Sequence, residues 1–211
     1  MANPHQVTKD FERALCEYTG APYAVAVNSC TMALLLAVAW HRACGWPRDV
    51  PLADLQNHVV EIPKRTYVSV PMSIIHAGGR PTFRDEKWYG TYQLKPLPVW
   101  DCARWFASSM YREGEFQCVS FHWSKTLGIQ QGGAILHDSP EADEWLRRAR
   151  FDGRKEGVAP KDDTFPIIGW HCYMSPEVAA EGLVRLSFLP KHNDPLPNDD
   201  YPDLSKLEIF R

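Results

Sequence analysis

The stretch CVSFHWSKTLGIQQGG at positions 118–133 sets Ser120 and Lys125 between two apolar runs, and an amine placed there is the group in this chain best suited to covalent chemistry. Cys118 to Phe121 reads as a buried strand, and Gly132-Gly133 permit a tight backbone before the second run, Ala134 to Leu136. A lysine between apolar strands is usually a solvated loop cation. One held in a desolvated pocket can lose its proton at neutral pH and attack a carbonyl to form a Schiff base. Which of these Lys125 is depends on the partners the chain supplies.

Two other places offer partners. Asp101 ends the apolar run Leu97–Trp100, and a carboxylate at the end of a buried strand lies where open α/β sheets present their ligands. Its alternative role is to cap a helix over Cys102–Met110. Asn28-Ser29-Cys30-Thr31 joins the short apolar strand Tyr23–Val27 to Met32–Ala43, a stretch apolar nearly all round. Strand, small polar turn and buried helix aim backbone N–H groups and a helix N-terminus at one point, a geometry that suits phosphate. Serine and threonine before a helix also serve as simple caps.

The elements that must position these groups follow from periodicity. Val7, Phe11, Leu15 and Tyr18 recur at helical spacing, so Val7–Glu17 reads as an amphipathic helix stopped by Gly20-Ala21-Pro22. Val50–Asn57 is a polar, proline-containing connection, His58–Ile62 a strand, and Lys64–Ser69 the lead into a short helix ending at Gly78-Gly79. Pro81–Phe83 reads as another strand, and Glu86–Pro96 as irregular. Glu141–Phe151 is a charged helix whose basic face, in WLRRARF, is expected in solvent; Pro176–Leu186 is a helix with proline in its first turn. From Pro190 the composition shifts to Pro, Asp and Asn, so residues 190–211 read as an extended tail beside a single domain, 1–189, with no internal repeat.

Composition narrows the class. An apolar content of 45% and a charged content of 23% are those of an ordinary soluble globular protein. The net charge of −3 gives no electrostatic footprint for nucleic acid, although a local basic patch stays open. No apolar run is long enough to span a bilayer and no basic-then-apolar leader opens the chain, so the expected location is cytoplasmic. The six scattered cysteines, without a C-x-x-C pair, are expected to be reduced rather than bridged or bound to zinc.

Alternating strands and helices predict an α/β fold, a three-layer sandwich with a mostly parallel central sheet. On such a sheet the loops Ser29–Met32, Asp101 and Ser120–Lys125 would converge, offering a phosphate cradle, a carboxylate and an amine. That set suits pyridoxal phosphate (PLP), whose aldehyde needs a lysine and whose ring nitrogen needs an anionic partner.

With these residues in hand, the chain resembles the DegT/DnrJ/EryC1/StrS family of PLP-dependent aminotransferases, which have the aspartate-aminotransferase fold and act mostly on nucleotide-linked keto-sugars. FERALCEYTGAPYAVAVNSCTMALLLAV is similar to the family's opening helix, first strand and phosphate turn, and EIPKRTYVSVPMSIIHAGGRPTFRD to its second strand and a loop carrying a cofactor-stacking aromatic. VWDCAR resembles its Asp-Ala-Ala-Gln segment, VSFHWSKTLGIQQGGAIL its Ser-Phe-His-x-x-Lys segment, and GWHCYMSPEVAAEGLVRL its Gly-Tyr-Asn-Tyr-Arg-Met helix start. The chain reads as a shortened form: the family's C-terminal small domain has no counterpart, nor does a strand and helix that usually lie between Asp85 and Asp101. Cys30 stands where the family has glycine, and Tyr173 where it has arginine.

The resemblance implies roles. Lys125 would form the Schiff base with the cofactor and shuttle the proton. Asp101 would pair with the pyridinium nitrogen, and Tyr67, otherwise a core tyrosine, would stack on the ring. Ser120 and the backbone at Cys30 and Thr31 would bind the phosphate, and Arg104 would sit near the phenolic oxygen. His171, otherwise a packed or surface histidine, would reach the phosphate of a neighbouring subunit, so a homodimer with shared active sites is expected. The expected reaction moves an amino group from an amino acid, with glutamate the expected donor, to a keto-sugar. Two alternatives stay open: a PLP-dependent decarboxylase acting on a bulky amino-bearing substrate, such as an aminoacylated modified nucleic-acid base, and a non-catalytic remnant of the fold.

Overall fold

The computed structural model of the protein describes residues 5–44, 58–198 and 200–210; the connection expected over Val50–Asn57 lies outside them. Helix α1 spans Gln6–Thr19 and ends at Gly20, whose positive φ of 81° lets its N–H return to the Cys16 carbonyl at 2.9 Å. Strand β1 (Tyr23–Val27) runs into α2 (Cys30–Ala43), and β2 (Val59–Pro63) leads through a loop to α3 (Ser69–His76) and then to β3 (Arg80–Arg84). After β4 (Tyr92–Leu94) and β5 (Val99–Asp101) come β6 (Phe116–Ser120), β7 (Gly133–His137), α4 (Pro140–Ala149) and α5 (Pro176–Phe188).

The central sheet has the order β1-β7-β6-β5-β4, and β2 and β3 pair as a parallel ribbon of their own. The strands are buried on both faces. Val25, Val27, Cys118 and Ile135 point into a core with α2, α3 and α4, while Ala24, Ala26, Val119 and Leu136 point into a second core with α1 and α5. Burial on both faces is why these strands read as continuous apolar runs. The architecture is therefore α/β and three-layered.

The sheet is mixed and mostly antiparallel, which corrects the expectation of a mostly parallel one. Only β5 and β6 pair in parallel; β1–β7, β7–β6 and β4–β5 are antiparallel. The reason lies in the connections, because a parallel pair needs a crossover of a dozen or more residues, usually helical. The turn at 95–98 is too short for a crossover, and the segment between β6 and β7 carries no helix. Strand β4 itself lies within Glu86–Pro96, which the sequence had suggested was irregular. Since β1 and β6 both oppose β7, and β5 follows β6, the strands β1, β5 and β6 share one direction and end at one edge. Glu61 and Lys95 exchange backbone hydrogen bonds in an antiparallel bridge, which joins the β2–β3 ribbon to the sheet and turns the end of β2 the same way.

A second correction concerns α4. Its basic residues were expected in solvent, yet Arg150, just past its last turn, is 1% exposed and Arg147 is half-buried. They cover the outer edge of β1, where, apart from the single bridge of Val27 to Tyr173, no strand pairs among the described residues. The Glu12 carboxylate of α1 accepts from the Ala26 N–H at 2.8 Å, Arg150 donates to the Ala26 carbonyl at 2.6 Å, and Arg147 to the Ala24 carbonyl at 3.2 Å. Glu12 also receives both guanidinium groups, that of Arg147 at 2.6 Å, and Arg150 binds Glu156 at 2.8 Å. Burial alone would lower the Arg150 pKa, but the Glu12 and Glu156 charges outweigh it and raise it. An open strand edge must be paired or covered, and here buried ion pairs cover it.

The six cysteines are free thiols. No described helix is long and apolar enough to cross a membrane. Replacing Glu12 with Gln should cost about 3 kcal/mol, the lower end of the scale for breaking a buried ion pair, because Arg150 keeps Glu156 and Arg147 keeps Asp143; it is read as a drop in the urea unfolding midpoint. A midpoint equal to wild type would mean the β1 edge is held by other contacts.

Candidate active site

The shared direction of β1, β5 and β6 brings their carboxyl ends around one cavity of about 330 Å³. At one wall stands the N-terminus of α2. Ser29 caps it, its hydroxyl accepting from the Met32 N–H at 3.2 Å, and helix geometry leaves the N–H groups of Cys30 and Thr31 without intrahelical partners. The Cys30 thiol donates to the Cys118 carbonyl at 3.5 Å, tying the helix start to β6, and burial pushes its pKa well above the usual thiol value, so it stays protonated. The Thr31 and Ser69 hydroxyls share a hydrogen bond of 2.9 Å, which binds α2 to the start of α3. Gly133 opens β7 against this turn: a Cβ there would lie 2.6 Å from the Cys30 nitrogen and 2.8 Å from the Val119 carbonyl, so only glycine permits the approach.

Asp101, 6% exposed at the end of β5, forms the floor. One carboxylate oxygen accepts from the Tyr92 hydroxyl at 2.7 Å and the other from the Ala103 N–H at 2.9 Å; Tyr92 in turn shares a 2.6 Å hydrogen bond with Thr66. Burial raises the Asp101 pKa, and the two hydrogen bonds and the Lys125 cation offset only part of that rise. No helix follows at Cys102–Met110, so Asp101 is not a helix cap.

Ser120 and Lys125 form the opposite side. The turn after β6 is fixed by three backbone bonds: Lys125 N–H to His122 at 2.8 Å, Ile129 N–H to Phe121 at 3.0 Å, and Phe121 N–H to Gly132 at 2.9 Å. Within the turn the His122 ring shares a 2.9 Å hydrogen bond with the Ser124 hydroxyl, and both line the cavity. Lys125 is half-buried, and its charge acts on both Asp101 and Cys30. Tyr67 also lines the cavity and is 59% exposed, which corrects its alternative as a core tyrosine; Arg104 lines it from a nearly buried position.

Seven of the eight residues singled out in the sequence thus surround one cavity: Cys30, Thr31, Tyr67, Asp101, Arg104, Ser120 and Lys125. His171 is not among the lining residues. It is exposed, bonded to Asp152 at 2.9 Å and set against the Tyr173 ring. Sequence reasoning missed Tyr92, Thr66, Trp88 and Tyr201. The alternation of buried Tyr92 and Leu94 about Gln93 was a legible signal for β4; the Pro- and Asp-rich surroundings of Tyr201 gave none. A larger cleft of about 560 Å³ lies against α1 and α4; of its guanidinium groups, Arg147 is engaged by Glu12 and Asp143, Arg13 by Asp10 and Arg148 by Asp163.

Comparison with known proteins supplies the family. The model of the DegT/DnrJ/EryC1/StrS aminotransferase family matches residues 3–101 and 97–194. The chain belongs to this family. It is 27% identical to the dTDP-4-amino-4,6-dideoxy-D-glucose transaminase of Shigella dysenteriae, over 84% of this chain and 55% of that protein. It is 23% identical to the UDP-4-amino-4,6-dideoxy-N-acetyl-beta-L-altrosamine transaminase of Campylobacter jejuni, over 87% and 57% respectively. The chain therefore spans about half the length of the curated relatives it matches. The fold is that of the sugar aminotransferase CalS13 from Micromonospora echinospora (TM-score 0.71, 18% identity, 87% of this chain and 60% of that one). It is also that of Spr1654 from Streptococcus pneumoniae in its PLP form (TM-score 0.64, 19% identity, 87% and 59%).

The raised pKa of Asp101 has a consequence for stability. A carboxyl whose folded pKa lies above its unfolded value adds stability at low pH that is lost as pH rises through the folded value. In the cofactor-free protein, Asp101→Asn should therefore raise the thermal midpoint at pH 7.5 by about 2–8 °C, roughly 1–2 kcal/mol, and the gain should shrink towards pH 4. A gain that does not change with pH would mean that the Asp101 carboxyl titrates alike in the folded and unfolded chain, so that its burial does not raise its pKa.

Proposed function

We propose that this chain is a PLP-dependent aminotransferase that moves an amino group from an amino acid, glutamate being the expected donor, to a nucleotide-linked keto-sugar. The observation that carries the reading is the placing of Lys125, Asp101 and the N-terminus of α2 around one cavity. Its volume of about 330 Å³ lies at the lower end of small-molecule pockets. The donor set fits the cofactor: an amine for its aldehyde, a buried carboxylate for its ring nitrogen, hydroxyls and helix N–H groups for its phosphate. PLP, when bound, supplies the aldehyde that accepts the amino group and the ring that takes up the electron pair.

The chain's own residues do the rest. Lys125 would hold the cofactor through its Nζ and, once that amine is released, would accept and return a proton there. Asp101 holds the proton on the ring nitrogen; the low-dielectric floor that raises its own pKa also strengthens its attraction to a cation. Cys30 and Thr31 N–H groups, with the Ser120 hydroxyl, hold the phosphate. Tyr67 would cover the cofactor's ring and Arg104 would stand beside its phenolic oxygen, as both line the cavity. The names of the two curated transaminases support a sugar acceptor. A cytoplasmic homodimer, with His171 serving the partner's phosphate, belongs to the same proposal and fits that side chain's exposure.

Purified protein given PLP should absorb near about 420 nm, the band of a lysine-bound pyridoxal, and should release 2-oxoglutarate from L-glutamate. Lys125→Ala should lose the band and reduce turnover by a factor of at least ~10³. A wild type with no band, or a Lys125→Ala protein that keeps it, contradicts the reading; carbon dioxide in place of 2-oxoglutarate would point to decarboxylation.

A further inference from the structure

The family match ends at residue 194, yet the cavity has a wall beyond it, because Tyr201 lines it beside Arg104 and Trp88. Tyr201 is held from both sides. Upstream, the Leu196 N–H donates to the Arg104 carbonyl at 2.7 Å and the Asn198 side chain to the Trp88 carbonyl at 2.7 Å. Downstream, the Leu204 N–H donates to the Lys64 carbonyl at 2.8 Å, and Leu204 is 0% exposed. At Tyr201 itself, Arg65 donates to the backbone carbonyl at 3.0 Å and the Arg104 guanidinium reaches the phenol oxygen at 3.5 Å. Its ring lies nearly parallel to that of Trp88, 18° between planes with centroids 6.2 Å apart, and Trp88 is pinned by its indole N–H to the Arg65 carbonyl at 2.9 Å.

These contacts tie together the three loops that carry Tyr67, Trp88 and Arg104. We propose that Tyr201 is a specificity-determining residue of the acceptor side, with Trp88 an aromatic wall for the ring of a sugar. The inference rests on the proposed aminotransferase reading. Its chemistry is selective. A rigid aromatic face gains by burying apolar C–H surface at small entropic cost, and a pyranose presents such a face. An open-chain amino acid such as glutamate presents almost none, and depends instead on cations for its carboxylates. The strap that delivers Tyr201 also sets Arg104, since Leu196 bonds the Arg104 backbone and the phenol meets its guanidinium.

The test uses the full chain loaded with PLP and two amino donors, L-glutamate and dTDP-4-amino-4,6-dideoxy-D-glucose, each followed by loss of the visible band. The half-saturation concentration for the amino-sugar, divided by that for glutamate, should rise about tenfold in Tyr201→Ala and no more than about threefold in Tyr201→Phe, which keeps the ring. The wild-type and variant thermal midpoints, measured alongside, separate a local effect from unfolding. If Tyr201→Ala unfolds, the comparison passes to Trp88→Leu, which removes the stacked partner and should raise the same ratio at least threefold. A ratio unchanged in folded variants overturns the inference and leaves the aminotransferase reading standing. A wild type that takes up no PLP overturns both.

Discussion

A carboxylate buried at the tip of a strand is the constraint to which the rest of this site answers. Asp101 gives up water for two hydrogen bonds, from Tyr92 and Ala103, and these do not fully compensate for burial. A group in that state favours a cation placed against it more strongly than any exposed acid could. Every other feature of the cavity brings something to that point: the sheet its direction, β4 the tyrosine, the turn after β6 the lysine.

Directions matter more than strand count. The strands β1, β5 and β6 run the same way although three of the four pairings in the sheet are antiparallel, because β7 is inserted between β1 and β6. Gly133 makes this insertion possible, since any side chain there would collide with the start of α2. One edge of the sheet is then left open at β1 and is closed by Glu12, Arg147 and Arg150 rather than by another strand. The molecule thus spends its buried charge in two separate ways: a balanced cluster at the edge, where geometry satisfies it, and an acid at the cavity floor, where a guest would.

The sequence pointed to the residues that gather at the cavity because chemistry of the proposed kind needs particular residue types in short, ordered segments: Lys125 after an apolar strand, Asp101 ending another, Ser29 to Thr31 opening a buried helix. The helices α1, α2 and α5 were legible from periodicity and caps. Strand polarity was not, because apolar runs carry no direction; only the brevity of the 95–98 turn and the absence of a helical pattern in 121–132 held that information. The inward turn of Arg147 and Arg150 was hidden because a charged face looks the same whether it meets water or a buried acid such as Glu12. Tyr201 was invisible for a different reason: a proline- and aspartate-rich stretch has no period, so only its anchors in space bring it to the cavity.

Reduction of the PLP-loaded protein with sodium borohydride, followed by peptide mapping, tests the central claim most directly, because it fixes the cofactor to whichever amine holds it. The account predicts a single stable phosphopyridoxyl group on Lys125. A label absent from Lys125, or spread over exposed lysines such as Lys87 and Lys206, would contradict it.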